Sequence, residues 1–235
     1  NFISGQSAAN RMGTNAIQVS FNGQNGISNF NISGNGSAGS PLTNFAGIGI
    51  TVFMGGSVTG STTVNNNVIV SNNTAGSAGI AVQADDGPAG LGTSAANVNF
   101  TVNNNNVSAN EGFGIRAIAR ASLAVMDVTI QNNTVTAPTL ANRNGIRIDS
   151  GSSAGDVTLC LAMSGNTSAG SGVNQGLGLR KQGTNATVND FGIVGLSPSP
   201  TTAANAAAKV AADNPAGGGV DIISGDNYVS CTITP

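Results

Sequence analysis

Gly145-Ile146-Arg147-Ile148 decides how this chain folds, because the phrase returns along the sequence with its two outer apolar positions kept. The other copies read Ala16-Ile17-Gln18-Val19, Gly47-Ile48-Gly49-Ile50, Gly79-Ile80-Ala81-Val82, Gly114-Ile115-Arg116-Ala117 and Gly176-Leu177-Gly178-Leu179, with starts 31, 32, 35, 31 and 31 residues apart. Copies at so constant a period are the signature of a repeat architecture. A second phrase travels with the first: an apolar residue, any residue, Gly or Asn, then Asn. It reads Ile32-Ser33-Gly34-Asn35, Val70-Ser71-Asn72-Asn73, Val102-Asn103-Asn104-Asn105, Ile130-Gln131-Asn132-Asn133 and Met163-Ser164-Gly165-Asn166, with a degenerate Ile3-Ser4-Gly5-Gln6 at the start. Two residues before each full copy stands another apolar side chain, Phe30, Val68, Phe100, Val128 or Leu161, which is the period-two alternation of a strand. Each repeat therefore holds at least two short strands.

Helical repeats need strong helix formers at 3.6 spacing, whereas these repeats are built from Gly, Asn, Ser, Thr, Val and Ile. A leucine-rich ladder is also missing. Short parallel strands joined by turns, each repeat stacked about 4.8 Å beyond the last, satisfy the pattern. The expected fold is all-β: a right-handed parallel β-helix of roughly six to seven coils, about 30 Å long without its caps. The Asn column at 35, 73, 105, 133 and 166 then reads as a ladder of side-chain amides hydrogen-bonded from coil to coil, at turns where Asn tolerates left-handed backbone. The competing reading is a row of polar groups gripping a glycan.

The uninterrupted repeat over 1–196 argues for one elongated domain, followed by a cap over 197–235. There, Ser197-Pro198-Ser199-Pro200 stops the strands, and an Ala-rich stretch over 201–213 with a Thr cap predicts a helix. Asn214-Pro215 and three glycines end it, and strand-like residues return at 220–223 and 228–233. Such a cap would cover the edge of the last coil. At the other end residues 1–30 form a ragged first coil with an open parallel edge, which implies missing upstream sequence or a second molecule covering it.

Columns can be compared across stacked coils. The third position of the opening phrase, Gln18, Gly49, Ala81, Arg116, Arg147 and Gly178, should face outward between inward apolar residues. Arg116 and Arg147 then stand one coil apart, solvated or shared with an acid such as Glu111 or with an anionic ligand. Two residues further on, Asp149 and Arg180 share a column and predict an exposed ion pair of about 0 to 1 kcal/mol. Loops between the phrases vary in length and so belong on the surface. In one of them, Asp85-Asp86-Gly87-Pro88 offers carboxylates to Ca²⁺, the one cofactor the sequence suggests, or is an Asp-rich turn.

Cys160 lies between Leu159 and Leu161, so it faces away from a core that takes both leucines, and Cys231 lies on the returning tail. A Cys160–Cys231 bridge would tie cap to rod, contribute roughly 4 kcal/mol in the chain-entropy model, and imply an oxidising, extracytoplasmic setting. Two free thiols are the alternative.

Composition narrows the partners. The chain carries eight Lys and Arg against ten Asp and Glu, for a net charge of -2, and 4 % aromatics with no Trp. Dispersed basic residues without a stacking surface argue against nucleic acid. No apolar run reaches the ~18 residues of a membrane span, and the first residues are not a signal peptide, so the chain reads as mature or excised. Sequons such as Asn72-Asn73-Thr74 arise by chance in so Asn- and Thr-rich a sequence.

On the Ile-x-Asn-Asn-Thr-Val segment at 130–135, the Gly-Ile-x-Ile phrases, and the closing run from Gly176 through Lys181-Gln182 to Cys231, the chain resembles the right-handed β-helix repeats of large bacterial secreted and cell-surface proteins, adhesin-like and autotransporter-passenger-like chains among them. The resemblance implies an extracellular or cell-surface location and a structural, adhesive or glycan-associated role, with self-association or another extracellular protein as partner. The same fold serves polysaccharide lyases and hydrolases. A hydrolase needs converging carboxylates, and these acids are dispersed. A lyase-like Ca²⁺ site with a basic residue would have to be seeded by Asp85, Asp86, Arg116 and Arg147. With no His there is no Ser/His/Asp or Cys/His set, so no catalytic residue is assigned. An ice-binding Thr array is also disfavoured, since the column after the ladder reads Gly36, Thr74, Asn106, Thr134 and Thr167. The expectation is an extracellular structural or adhesive module, able to stack into a fibre, with a polysaccharide-binding or polysaccharide-degrading β-helix as the alternative.

Overall fold

The computed structural model describes residues 15–27, 29–71, 77–85, 96–120, 124–151, 157–182 and 190–233. Strands are numbered in chain order and pair in parallel throughout. The Gly-Ile-x-Ile phrases build a first face from β1 (Ile17–Ile27), β4 (Ile50–Asn65), β6 (Ile80–Asp85), β9 (Ile115–Ala119), β12 (Ile146–Ser150), β15 (Leu177–Lys181) and β17 (Val220–Ser224). The strands leading into the Asn phrases build a second, from β2 (Phe30–Ser33), the far half of β4, β7 (Asn97–Asn103), β10 (Val125–Gln131), β13 (Thr158–Ser164), β16 (Asp190–Val194) and β18 (Val229–Cys231). Because β4 runs through both, the two faces form one curled 13-stranded sheet. Short strands after the Asn phrases, β3 (Leu42–Thr43), β5 (Val68–Val70), β8 (Asn106–Ser108), β11 (Thr134–Val135) and β14 (Thr167–Ser168), make a separate five-stranded sheet. The result is a large, solenoid-like all-parallel architecture.

Alternation places one apolar column per inward position. Ile50, Ile80, Ile115, Ile146 and Leu177 are fully buried in one column, and Phe100, Val128 and Leu161 stack in register on the second face. Each such side chain contributes about 1.5–3 kcal/mol on leaving water. The register corrects one detail of the sequence comparison. Ile50 pairs with both Ile17 and Ile80, so Gly49-Ile50-Thr51-Val52 is the true second copy and Thr51, not Gly49, occupies the outward column. A slip of two residues keeps every apolar side chain inward, so period-two reasoning cannot detect it. The opening glycine marks a tight corner: a Cβ on Gly114 would collide with Val135 of β11.

The Asn ladder runs through Asn35, Asn67, Asn105, Asn133, Asn166 and Asn214. Each Nδ2 donates to the Oδ1 of the next, at 2.8 to 3.0 Å. The backbone N–H of each donates to the same oxygen at 3.0 Å. Asn73 lies outside the described residues, and its expected rung is filled by Asn67, from Val64-Asn65-Asn66-Asn67. The residue in left-handed backbone is the one before each rung, Gly34, Asn66, Asn104, Asn132 or Gly165. This explains why that position is Gly or Asn.

Helix α1 (Ala203–Asp213) starts at the Thr202 cap, whose hydroxyl accepts from the Asn205 N–H. It buries Ala206 and Val210 against the last repeat and ends at Asn214, the final rung. The tail then supplies two strands rather than one, β17 on β15 and β18 on β16. Tyr228 is fully buried with its ring 5.1 Å from that of Phe191. Cys160 and Cys231 form a disulfide, and the leucines flanking Cys160 are fully buried. Gly192, paired in register with Cys160, leaves room for the bridge, since a Cβ there would lie 2.5 Å from the Cys231 Cβ. Replacing both cysteines by Ser is expected to cost about 4 kcal/mol, the chain-entropy value for a loop closed over a sequence separation of 71. Thermal unfolding with and without reductant measures it; an unchanged Tm with both thiols shown free would remove the bridge from the account of stability.

Candidate functional site

The chemistry gathers on the outward side of the first face, where β9, β12 and β15 present Arg116, Asp149 and Arg180. Strand pairing sets Arg147 beside Arg116 and Asp149 beside Arg180. The pair expected between Asp149 and Arg180 is present, but it is neither isolated nor exposed. Asp149 is 1 % exposed and takes three guanidiniums. Its Oδ2 accepts from Arg116 Nε and Nη2, each at 2.8 Å, and its Oδ1 from Arg147 Nε at 2.8 Å and Arg180 Nε at 2.7 Å. The acid shared by Arg116 and Arg147 is thus Asp149 rather than Glu111. Sequence columns missed the burial because long side chains reach diagonally between columns.

Two neighbours hold the cluster in place. Phe113, just before β9, lies under both arginines, with the guanidinium carbons of Arg116 and Arg147 at 5.3 and 5.6 Å from its ring centroid. Cation–π attraction of this kind favours a fixed guanidinium plane. Asn144 accepts from Arg147 Nη1 at 3.3 Å and donates 2.8 Å to an Asp221 carboxylate oxygen, which also takes the Gln175 N–H. Gly178 leaves the space for it, since a Cβ there would overlap the Asn144 amide.

Burial alone would raise the Asp149 carboxyl, but the charges of Arg147, Arg116 and Arg180 outweigh it and hold the group below the ordinary aspartate range. Burial lowers Arg147, partly offset by Asp149, while Arg180 and Arg116 repel it. Three positive charges against one negative leave the cluster with an excess of two. Its outer members, Arg116 and Arg180, remain 25 % exposed.

Beside the cluster, over β6 and β9, lies a groove of about 300 Å³. Ala81 and Ile118 form its apolar floor, Phe113 and Gln83 flank it, and Arg116 and Arg120 stand at its rim. The Arg120 guanidinium has no partner among the described residues; its backbone N–H donates to Ala84 O. Asp85, at the end of β6, accepts from Gln83 Nε2. Asp86 lies outside the described residues. Among the described residues no group of three or more His, Cys, Asp or Glu side chains could hold a metal ion. Arg116 and Arg147 are therefore brought together, whereas Asp85 stands apart from the arginine cluster with Gln83. A larger hollow of about 560 Å³ on the second face is lined by Asn29, Ser61, Asn97, Asn99, Asp127 and Thr232, without a basic group among the described residues. On the first face this arrangement presents guanidinium donors around one buried carboxylate, Asp149, which three cations engage.

No family model, curated protein or solved structure matches the chain. No helix among the described residues is long and apolar enough to cross a membrane.

Proposed function

We propose that this chain is a right-handed parallel β-helix, secreted or displayed at a cell surface, that acts as a structural and adhesive module of an extracellular assembly and holds a glycan in the groove of its first face. Right-handed winding follows from the strong preference of parallel crossovers. The Cys160–Cys231 bridge supports an oxidising compartment. The resemblance to adhesin-like repeats points the same way. The observation that carries the adhesive reading is the groove itself, where an apolar floor of Ala81 and Ile118 meets the Arg120 guanidinium, which has no partner among the described residues. Sugar rings present an apolar C–H face and a polar rim, and this lining complements both. Binding is favoured over cleavage because the carboxylates beside the groove are already engaged, Asp149 by three arginines and Asp85 by Gln83.

The test is retention of the non-reduced protein on a panel of immobilised polysaccharides, with light scattering and negative-stain microscopy across a concentration series. A monodisperse rod retained on at least one polysaccharide is the expected result. Ordered filaments with no glycan retained would overturn the adhesive reading in favour of a purely structural fibre subunit.

A further inference from the structure

Resting on that reading, we infer that the ligand of the first-face groove is a polyanionic glycan, whose carboxylate or sulfate groups are held by Arg116 and Arg120 at the groove and by Arg180 on β15, two strands beyond it. The chain as a whole is acidic, at a net charge of -2, yet five of its eight basic residues, Arg116, Arg120, Arg147, Arg180 and the buried Lys181, stand on three neighbouring strands or their ends. Asp149 satisfies only part of their donor capacity. Arg116 uses Nε and Nη2 and keeps Nη1; Arg180 uses Nε alone and keeps both Nη groups; Arg120 keeps its whole guanidinium, all counted among the described residues. Such unused N–H groups, set in a fixed plane, match the planar fork of a carboxylate or the oxygens of a sulfate. The buried Asp149 orients Arg116 and Arg180 without neutralising them, so the outer donors are pre-organised rather than free to collapse onto each other.

Spacing favours a glycan over a nucleic acid. Arg116 and Arg120 lie four residues apart along one strand and its end, about 13 Å at the strand rise, with buried Ile118 between them. Two cationic positions separated by an apolar floor suit a chain of acidic sugar rings, which can meet one cation, lay a ring face on the floor and meet the second cation further along. In duplex DNA each strand places a phosphate about every 3.4 Å of helix axis, a denser charge than two cations about 13 Å apart would match, and single strands are gripped by aromatic stacking. The one aromatic ring here, Phe113, already lies against two guanidiniums. Asp85 is the carboxylate closest in register to Arg120, and Gln83 engages it.

The experiment measures the affinity of the full chain for polygalacturonate, dextran sulfate and neutral dextran of matched length, over a series of salt concentrations, with single-stranded DNA as competitor. The expected result is binding to one or both anionic polymers at least about tenfold tighter than to dextran, weakening as salt rises. The polygalacturonate and dextran sulfate arms tell carboxylate from sulfate. Arg120→Ala and Arg180→Gln are each expected to lower that affinity by about tenfold, as for loss of a charged hydrogen bond. Arg120→Ala should leave the Tm unchanged, which separates lost binding from lost folding. Equal binding to dextran, wild-type affinity in both variants, or DNA competing as well as the glycans would each overturn the inference. Binding to dextran alone would sink it while the adhesive reading stood; retention on no polysaccharide would sink both.

Discussion

Asp149→Asn is expected to lower the unfolding free energy by about 3–5 kcal/mol, the usual cost of leaving buried charge without its counter-ion. Asparagine preserves the size and one acceptor oxygen but turns an NH2 donor toward a guanidinium, so the loss reports the charge together with the acceptor bonds of one oxygen. Arg147, at 8 % side-chain exposure, suffers most, because water cannot replace the carboxylate. The pH dependence has a definite sign. The Asp149 carboxyl is held below its ordinary value, so its stabilisation is fully present above the unfolded aspartate pKa of about 3.9 and is lost as pH falls through the depressed folded value. The difference between wild type and variant should therefore be constant near neutrality and shrink under strong acid. A difference that kept its size down to pH 2 would assign the loss to packing instead. Combining Asp149→Leu with Arg147→Met should recover much of the stability, since the two outer arginines can hydrate. Urea unfolding across pH reads all of these.

Asn133→Ala, in the middle of the ladder, is expected to cost about 4 kcal/mol. The Asn133 Oδ1 accepts from both the N–H and the Nδ2 of Asn105, and its own Nδ2 donates to Asn166 Oδ1 and to the carbonyls of Val102 and Gln131. Truncation thus strands two buried donors, at about 1–3 kcal/mol each. Asn35→Ala, at the first rung, is a control. There Asn67 Oδ1 loses the Nδ2 donor and keeps the Asn35 backbone N–H, so the bonds to Asn67 account for about 1 kcal/mol. Equal losses at the two positions would mean that the amides act by filling space rather than by bonding. Hydrogen exchange of the Asn105 amide gives a local reading.

Much of this architecture could be read from the sequence, because a repeat states the same constraint several times. Period-two alternation gave the strands, the Asn phrase gave the ladder, the Thr-capped Ala run gave the helix, and two lone cysteines gave the bridge. What escaped had physical reasons. Gly47-Ile48 and Gly49-Ile50 satisfy the same alternation, and Val64-Asn67 and Val70-Asn73 satisfy the same phrase, so only pairing distinguishes them. Asn214 follows a helix and lacks the preceding strand that would mark it as a rung. The arginine cluster was half legible. Columns placed Arg116 by Arg147 and Asp149 by Arg180, but the convergence of all three on Asp149 depends on side-chain reach, and Asn144 reaches Asp221 only because position 178 is Gly.

The way the ladder ends has an electrostatic consequence. Each rung turns its carbonyl oxygen toward the preceding Asn and one N–H toward the following one, so the amide dipoles add, with their positive end at the last repeat. In the last rung that forward N–H has no further Asn; Asn214 Nδ2 donates instead to Val210 O at 2.8 Å. Val210 is among the last four residues of α1, where the carbonyls form the negative pole of the helix macrodipole. Ladder and helix are therefore joined head to tail as one polarised column, in which each bond strengthens its neighbours. The direction in which α1 runs is thereby prescribed: a helix of opposite polarity at this end would set positive pole against positive pole.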